Sequence, residues 1–226
     1  KFPIIFVAKN FCLGRFWILL TSMARLEFFF DISSPWTYLA FSRIEALAER
    51  MQAELVWRPI LVGGVFNSVN QELYETRANP NKAKLNYSVK DIQDWADFCG
   101  VEINWPDIFP VNAVNIMRGA FFALDHDKLP EYARLGFEAY WRDGLDVSNP
   151  DILSGIAEAC HLPANDFLTS LKDDVIKSRL RENTDELCKR GGFGSPTMFI
   201  NETDMYFGND RLLLIEEKLK NENLKK

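Results

Sequence analysis

The sequence predicts an α/β fold in which the two ends of the chain share one sheet and a large helical segment lies between them. Three observations predict it. A β-rich run, Leu26–Phe30, is followed by a helical pattern and a second β-rich run, Leu55-Val-Trp-Arg-Pro-Ile60. From residue 63 to 190 the apolar spacing is mostly helical. β character returns only in Pro196–Ile200 and Met205–Phe207, ahead of one last helical pattern.

The elements follow in order. Leu26–Phe30 is short and apolar, as a buried strand is. Asp31-Ile-Ser-Ser34 is a tight turn, and Pro35 sits where a first-turn proline belongs. Phe41, Ile44, Ala48 and Met51 then recur at helical spacing, with Glu45, Glu49 and Arg50 among them. A strand, a helix and a strand within about 35 residues predict parallel pairing through a right-handed crossover. Gly63-Gly64 predicts a break. Ser88-Val-Lys-Asp91 predicts a helix start, with Val89, Ile92, Trp95, Ala96 and Cys99 on one face until Gly100. Further helices are predicted over Asn112–His126, Pro130–Arg142, from Ser148-Asn-Pro-Asp151 onward, Pro163–Leu171 and Val175–Arg190, the last stopped by Gly191-Gly192. Asn201–Asp204 joins the two late strands as a hairpin. Gly208-Asn-Asp210 caps a final helix with Leu212, Ile215 and Leu219 on its apolar face. The order β-α-β, helices, β-β-α is that of a thioredoxin-like fold with a large inserted all-helical domain. Residues 23–62 and 191–226 would form the thioredoxin-like part and 63–190 the insertion. In this architecture Ser195-Pro196 is expected to be cis and to face the first helix. That places the Ser195 backbone to pair with an extended ligand.

Composition narrows the function classes. The 226 residues are 47% hydrophobic and 26% charged, an ordinary globular balance. Eighteen Phe and six Trp predict an aromatic core or pocket. Net charge is −6; Lys1, Lys9 and Arg15 precede residue 23, so the remainder carries 23 basic (26 less three) against 32 acidic groups, or −9. A nucleic-acid footprint is absent. Cys12, Cys99, Cys160 and Cys188 match neither zinc spacing nor a disulfide scaffold, which suits a reducing cytoplasm. Cys99 and Cys160 fall in helical patterns as apolar fillers. His126 and His161 are too few for most metal sites and are expected at the surface, so no metal is predicted. Phe2–Leu20 is apolar but interrupted by Lys9 and Arg15, so no membrane span is expected there. Met23-Ala-Arg-Leu resembles a start, and residues 1–22 are read as an upstream extension outside the fold, with a targeting segment as the alternative.

Three constellations converge on one end of the predicted sheet. Ser34 opens the first helix, where unpaired N–H groups and the helix dipole favour an anion such as a thiolate. A plain N-cap is the competing reading. Phe193-Gly-Ser-Pro-Thr197 is an ordinary turn or, by its placement between helix and hairpin, a ligand-facing loop. In Gly208-Asn-Asp-Arg211, Asn209 or Asp210 either caps the last helix or binds the amino-acid end of a peptide-like ligand. Lys82 and Lys84 near Tyr87 are solvated or touch an anionic substrate. Arg58 is sheet packing or a partner for a substrate carboxylate. No G-x-S-x-G is present, so a serine hydrolase has little support.

Phe29-Phe-Asp-Ile-Ser-Ser-Pro-Trp-Thr-Tyr38, Trp57-Arg-Pro-Ile-Leu-Val-Gly-Gly-Val-Phe66, Gly194-Ser-Pro-Thr197 and Phe207-Gly-Asn-Asp-Arg211 together resemble the DsbA-like superfamily. Within it they resemble the branch of 2-hydroxychromene-2-carboxylate isomerases and kappa-class glutathione transferases. The resemblance implies glutathione as cofactor. It implies that Ser34 hydrogen-bonds the glutathione sulfur, that Ser195 and Pro196 pair with its cysteinyl part, and that Asn209 and Asp210 hold its γ-glutamyl end. Asn70 resembles an active-site asparagine, although the spacing is one residue short, and serine is commoner than asparagine at position 209. The implied reaction interconverts 2-hydroxychromene-2-carboxylate and trans-o-hydroxybenzylidenepyruvate by reversible thiolate addition. Trp36, Trp105 and Phe109 would wall an aromatic carboxylate or simply pack the core, and a homodimer is implied. A transferase that forms stable adducts and a non-catalytic peptide-binding module are the alternatives. Ser34 and Thr37 leave no dithiol for disulfide exchange.

Overall fold

A computed structural model describes residues 23–223, so the proposed extension at 1–22, with Cys12, lies outside the described residues. Strand β1 is Arg25–Phe30, helix α1 Pro35–Met51 and strand β2 Glu54–Pro59. Eight helices follow: α2 Val62–Val69, α3 Glu72–Ala78, α4 Lys82–Cys99, α5 Val114–Asp125, α6 Leu129–Phe137, α7 Pro150–Ala159, α8 Ala164–Ser170 and α9 Asp174–Lys189. A π-helical turn, Glu138–Arg142, extends α6. Strands β3 Thr197–Ile200 and β4 Asp204–Phe207 then lead through a 3₁₀ turn into α10, Leu212–Asn223. The sheet order is β2-β1-β3-β4. β1 and β2 are parallel; β3 is antiparallel to β1 and to β4. This is the thioredoxin-like arrangement with helices inserted between β2 and β3.

β1 reads as a continuous apolar run because both of its faces are covered. Leu26, Phe28 and Phe30 face α1 and α10, where Leu212, Ile215 and Leu219 are buried with them. Phe28 and Phe30 meet the edge of Trp57 at 5.7 and 5.8 Å, and Phe41 continues the stack to Phe137 at 5.0 Å. Phe29 points the other way, into a smaller core with Ile60, Val65, Leu187 and Phe199 beneath α2 and α9. Burying each such side chain contributes about 1.5–3 kcal/mol. Glu27 is the exception on this strand: it is buried and paired with Arg190, and Arg25 lies 3.3 Å away.

Two helix boundaries differ from the sequence reading. Gly63-Gly64 does not break the chain but lies inside α2. A Cβ at Gly64 would stand 3.1 Å from the Thr184 methyl of α9, so close helix approach, not a turn, explains that glycine. Helix α4 begins at Lys82, capped by Asn81, whose side chain accepts from the Lys84 N–H at 3.2 Å; Ser88 is mid-helix. Gly100 ends it with φ of 68°, as predicted. Asn149 caps α7, accepting from the Asp151 N–H at 2.8 Å.

Gly119 of α5 is a point of close approach to α6 and α8. A Cβ there would lie 2.3 Å from the Tyr132 hydroxyl, which donates to the Ile116 carbonyl at 2.9 Å, and 2.7 Å from the Phe167 ring. Gly119→Ala is therefore expected to destabilise the fold by about 1–3 kcal/mol. A lowered urea midpoint with unchanged slope checks this. No helix among the described residues is long and apolar enough to cross a membrane. His126 and His161 are exposed, and Cys160 is a buried filler, as expected; Cys99 is only half-buried.

Candidate functional site

The turn after β1 is organised by one buried carboxylate. Asp31 accepts from the Val62 N–H at 2.7 Å and from the Ser33 N–H and hydroxyl, each at 2.8 Å. Burial pushes its pKa up, and these hydrogen bonds pull it partly back. The inserted helices hold the next residue: Met117 sulfur takes the Ile32 N–H at 3.3 Å, and the Trp141 indole donates to the Ile32 carbonyl at 2.8 Å. The chain is thus fixed on both sides just before Ser34.

Ser34 is the N-cap of α1. Its hydroxyl oxygen accepts from the Thr37 N–H at 3.3 Å, and its O–H donates to the Ser195 carbonyl at 3.2 Å. The Ser34 carbonyl receives the Thr37 and Tyr38 amides, and Pro35 has no N–H. Among the described residues this leaves the Trp36 amide as the first-turn donor without a partner. The Ser195-Pro196 peptide is cis, as predicted. The Ser195 hydroxyl accepts from the Asp31 N–H at 3.1 Å and pairs with the Thr37 hydroxyl at 2.8 Å. Three hydroxyls, Ser34, Thr37 and Ser195, therefore tie the helix start to the loop before β3. All three residues are buried.

The Gly208 N–H donates to the Pro196 carbonyl at 3.1 Å, and Gly208 has φ of 108°, which favours glycine. Asn209 is buried, and Asp210 is half-buried and ion-paired to Arg211. Between these segments lies a cleft of about 270 Å³. Trp36, Ser195, Pro196, Asn209 and Asp210 line it together with Phe207 and Gly208; Ser34 touches Ser195 from below. The inserted segment contributes Asp91 and Trp95, one turn apart on α4. Asp91 and Asp210 are the ionisable groups of that lining, so the cleft is acidic.

The other predicted residues lie elsewhere. Arg58 is on the α9 side of the sheet, over the Phe29 ring at 5.1 Å and paired with Glu186; register with Phe29 sends it away from the cleft. Asn70 ends α2 and donates to the Phe193 carbonyl at 3.2 Å, which braces the loop before Ser195 from outside the cleft lining. Trp105 and Phe109 are about half exposed and form an aromatic group with Trp141, at 5.8 and 6.1 Å. Lys82, Lys84 and Tyr87 are exposed on α4, not on a loop. The sequence reading missed Arg43, whose guanidinium donates to Asn209, and missed the cleft roles of Asp91 and Trp95. The Trp95 face of α4 was legible; which element it met was not.

Comparisons with known proteins support the family and the fold. A family model described as a DSBA-like thioredoxin domain matches residues 25–220. The chain is 29% identical over 201 residues to 2-hydroxychromene-2-carboxylate isomerase of Pseudomonas putida, covering 86% of this chain and 93% of that protein. It is 28% identical over 204 residues to glutathione S-transferase kappa 1 of Rattus norvegicus, covering 84% and 88%. A solved 2-hydroxychromene-2-carboxylate isomerase superposes with a TM-score of 0.74 at 25% identity, over 87% of this chain and 95% of that one. The chain belongs to the DSBA-like thioredoxin domain family.

Proposed function

We propose that the cleft binds glutathione and that the chain is a glutathione-dependent isomerase of the 2-hydroxychromene-2-carboxylate type. One observation carries the reading: the helix N-terminus and the cis-proline loop meet around hydroxyls at 34, 37 and 195, and among the described residues no cysteine lines the cleft. The sulfur must arrive with a ligand. The residues fit such a ligand at each end. Asp210, with Asp91 opposite, suits an α-ammonium; the Ser195 backbone suits the cysteinyl peptide unit; the Trp36 amide and Ser34 suit a thiolate.

Bound glutathione would supply a thiolate that adds reversibly to a conjugated alkene carbon, permits rotation about the resulting single bond, and departs. The chain's part is an exchange of hydrogen bonds. The Ser34 O–H, which here donates to the Ser195 carbonyl, would be the donor for the sulfur, and the freed carbonyl would be an acceptor for the ligand's backbone. The α1 dipole and the Ser34 donor stabilise the anion, while a moderate pKa preserves nucleophilicity. Trp36, on the cleft lining, offers aromatic surface for the substrate ring.

Titrating the protein with glutathione while recording far-ultraviolet thiolate absorbance should give a saturable signal, and 2-hydroxychromene-2-carboxylate should then equilibrate with its trans ketoacid only when glutathione is present. No binding at millimolar glutathione would leave the groove as a peptide-binding module. The likeness to a kappa transferase favours a second reading, in which electrophiles are conjugated irreversibly. Stable glutathione adducts on chromatography would select it.

A further inference from the structure

One side chain behind the cleft joins the elements that form it. Arg43 lies nine positions after Ser34 on α1, roughly 14 Å along the axis. Its Nη2 donates to both the carbonyl and the side-chain oxygen of Asn209, at 2.9 and 2.8 Å. Its Nε donates to the Leu39 carbonyl at 3.1 Å. Its guanidinium lies over Trp95 at 5.1 Å and over Phe98 at 5.8 Å. A single cation therefore connects α1, the cleft wall on α4 and the turn that presents Asp210. Burial lowers its pKa from the usual guanidinium value while Cys99 and Asp210 push it back up, and a guanidinium in this state remains charged.

We infer that Arg43 is a positioning residue that sets the cleft's preference for a thiol carrying a γ-glutamyl group, by holding Asn209, and with it Asp210, against the Trp95 wall. The inference rests on the glutathione reading and names how its amino-acid end is selected. The physical reason is that Asn209 is buried, so its two acceptors need a donor that reaches both. The two N–H groups of Nη2 reach one acceptor each while Nε is anchored on the Leu39 carbonyl; a lysine ammonium has the donors but lacks that second anchor. Without it the turn shifts, and the Asp210 carboxylate leaves the position in which it meets an α-ammonium. The thiol end, held by Ser34 at the start of α1 nine residues before Arg43, is not affected.

The test compares two thiols, glutathione and cysteinylglycine, which lacks the γ-glutamyl group. Binding of each is measured by thiolate absorbance on wild type, Arg43→Gln and Arg43→Lys, with circular dichroism as the folding check. Wild type should prefer glutathione. Arg43→Gln should lose roughly tenfold of that preference through weaker glutathione binding, with cysteinylglycine binding unchanged. Arg43→Lys, which keeps the charge and is the safer variant for folding, should lose part of the preference. Equal weakening of both thiols, or an unaltered preference in the folded lysine variant, would overturn the inference and leave the glutathione reading intact. Wild type that binds both thiols equally also overturns it. Wild type that binds neither removes the glutathione reading, and the inference with it.

Discussion

In the proposed glutathione-dependent reaction, Ser34→Ala is expected to lower turnover about 10- to 100-fold near neutral pH. The hydroxyl is at the N-cap of α1, and its O–H, now given to the Ser195 carbonyl, is the donor the proposed reaction turns to a sulfur anion. A hydrogen bond to a charged group contributes about 1.5–3 kcal/mol, equivalent to one or two pKa units on the bound thiol. The sign follows: the variant's thiol holds its proton to higher pH, so turnover is lost around neutrality and recovers as pH rises through the new pKa. The pH profile of thiolate absorbance, read beside the pH profile of rate, checks this. A parallel fall in rate at every pH, with an unmoved thiolate titration, would assign Ser34 to capping alone. Capping is a real second role, because the Thr37 amide loses its side-chain acceptor, and its loss should cost about 1 kcal/mol of stability. Ser34→Thr keeps both functions and should retain most of the rate.

Asp31→Ala should be the most destabilising single change near the site, by about 2–5 kcal/mol. Two backbone amides, Val62 and Ser33, lose a buried acceptor, and each orphan costs about 1–3 kcal/mol. The effect depends on pH. Burial raises the Asp31 pKa above 3.8, so the folded state keeps the proton to higher pH than the unfolded state does. Its favourable contribution is complete below the unfolded pKa and is lost as pH rises through the folded one. The alanine variant lacks this slope. The gap between wild type and variant should therefore be widest in acid and narrow toward neutral pH. Urea melts of both proteins across that range measure it, and a gap that does not change with pH would mean that burial is not the main influence on this carboxylate.

Ser34, the cis Ser195-Pro196 peptide and the Asn209–Asp210 turn were all legible because each is written in a few adjacent residues: a cap before a proline, a proline before a strand, a turn before a helix. β1 was legible as a short apolar run and the last helix from its cap and the spacing of Leu212, Ile215 and Leu219. What failed depended on contacts between distant segments. Gly63-Gly64 reads as a breaker locally, yet Gly64 is small because Thr184 packs on it. Arg58 reads equally as sheet packing or as a partner for a substrate carboxylate, until the strand register places it with Phe29 and the charges of α9. Arg43 sits on an exposed-looking helix position, and only the approach of the Asn209 turn gives it partners. Ser88 offered a good capping pattern, but Asn81 offered one a little earlier, and the helix propagates from the first.

The three buried hydroxyls also govern how the protein ages. Peroxide converts a reactive thiolate step by step into acids that are not readily reversed. Oxygen at positions 34, 37 and 195 gives such an oxidant nothing to attack at the centre of the cleft. A sulfur that enters from solution can be discarded after damage and replaced by the next molecule. In the proposed reaction, oxidative injury to the sulfur would fall on an expendable small molecule, and the folded chain would outlast it.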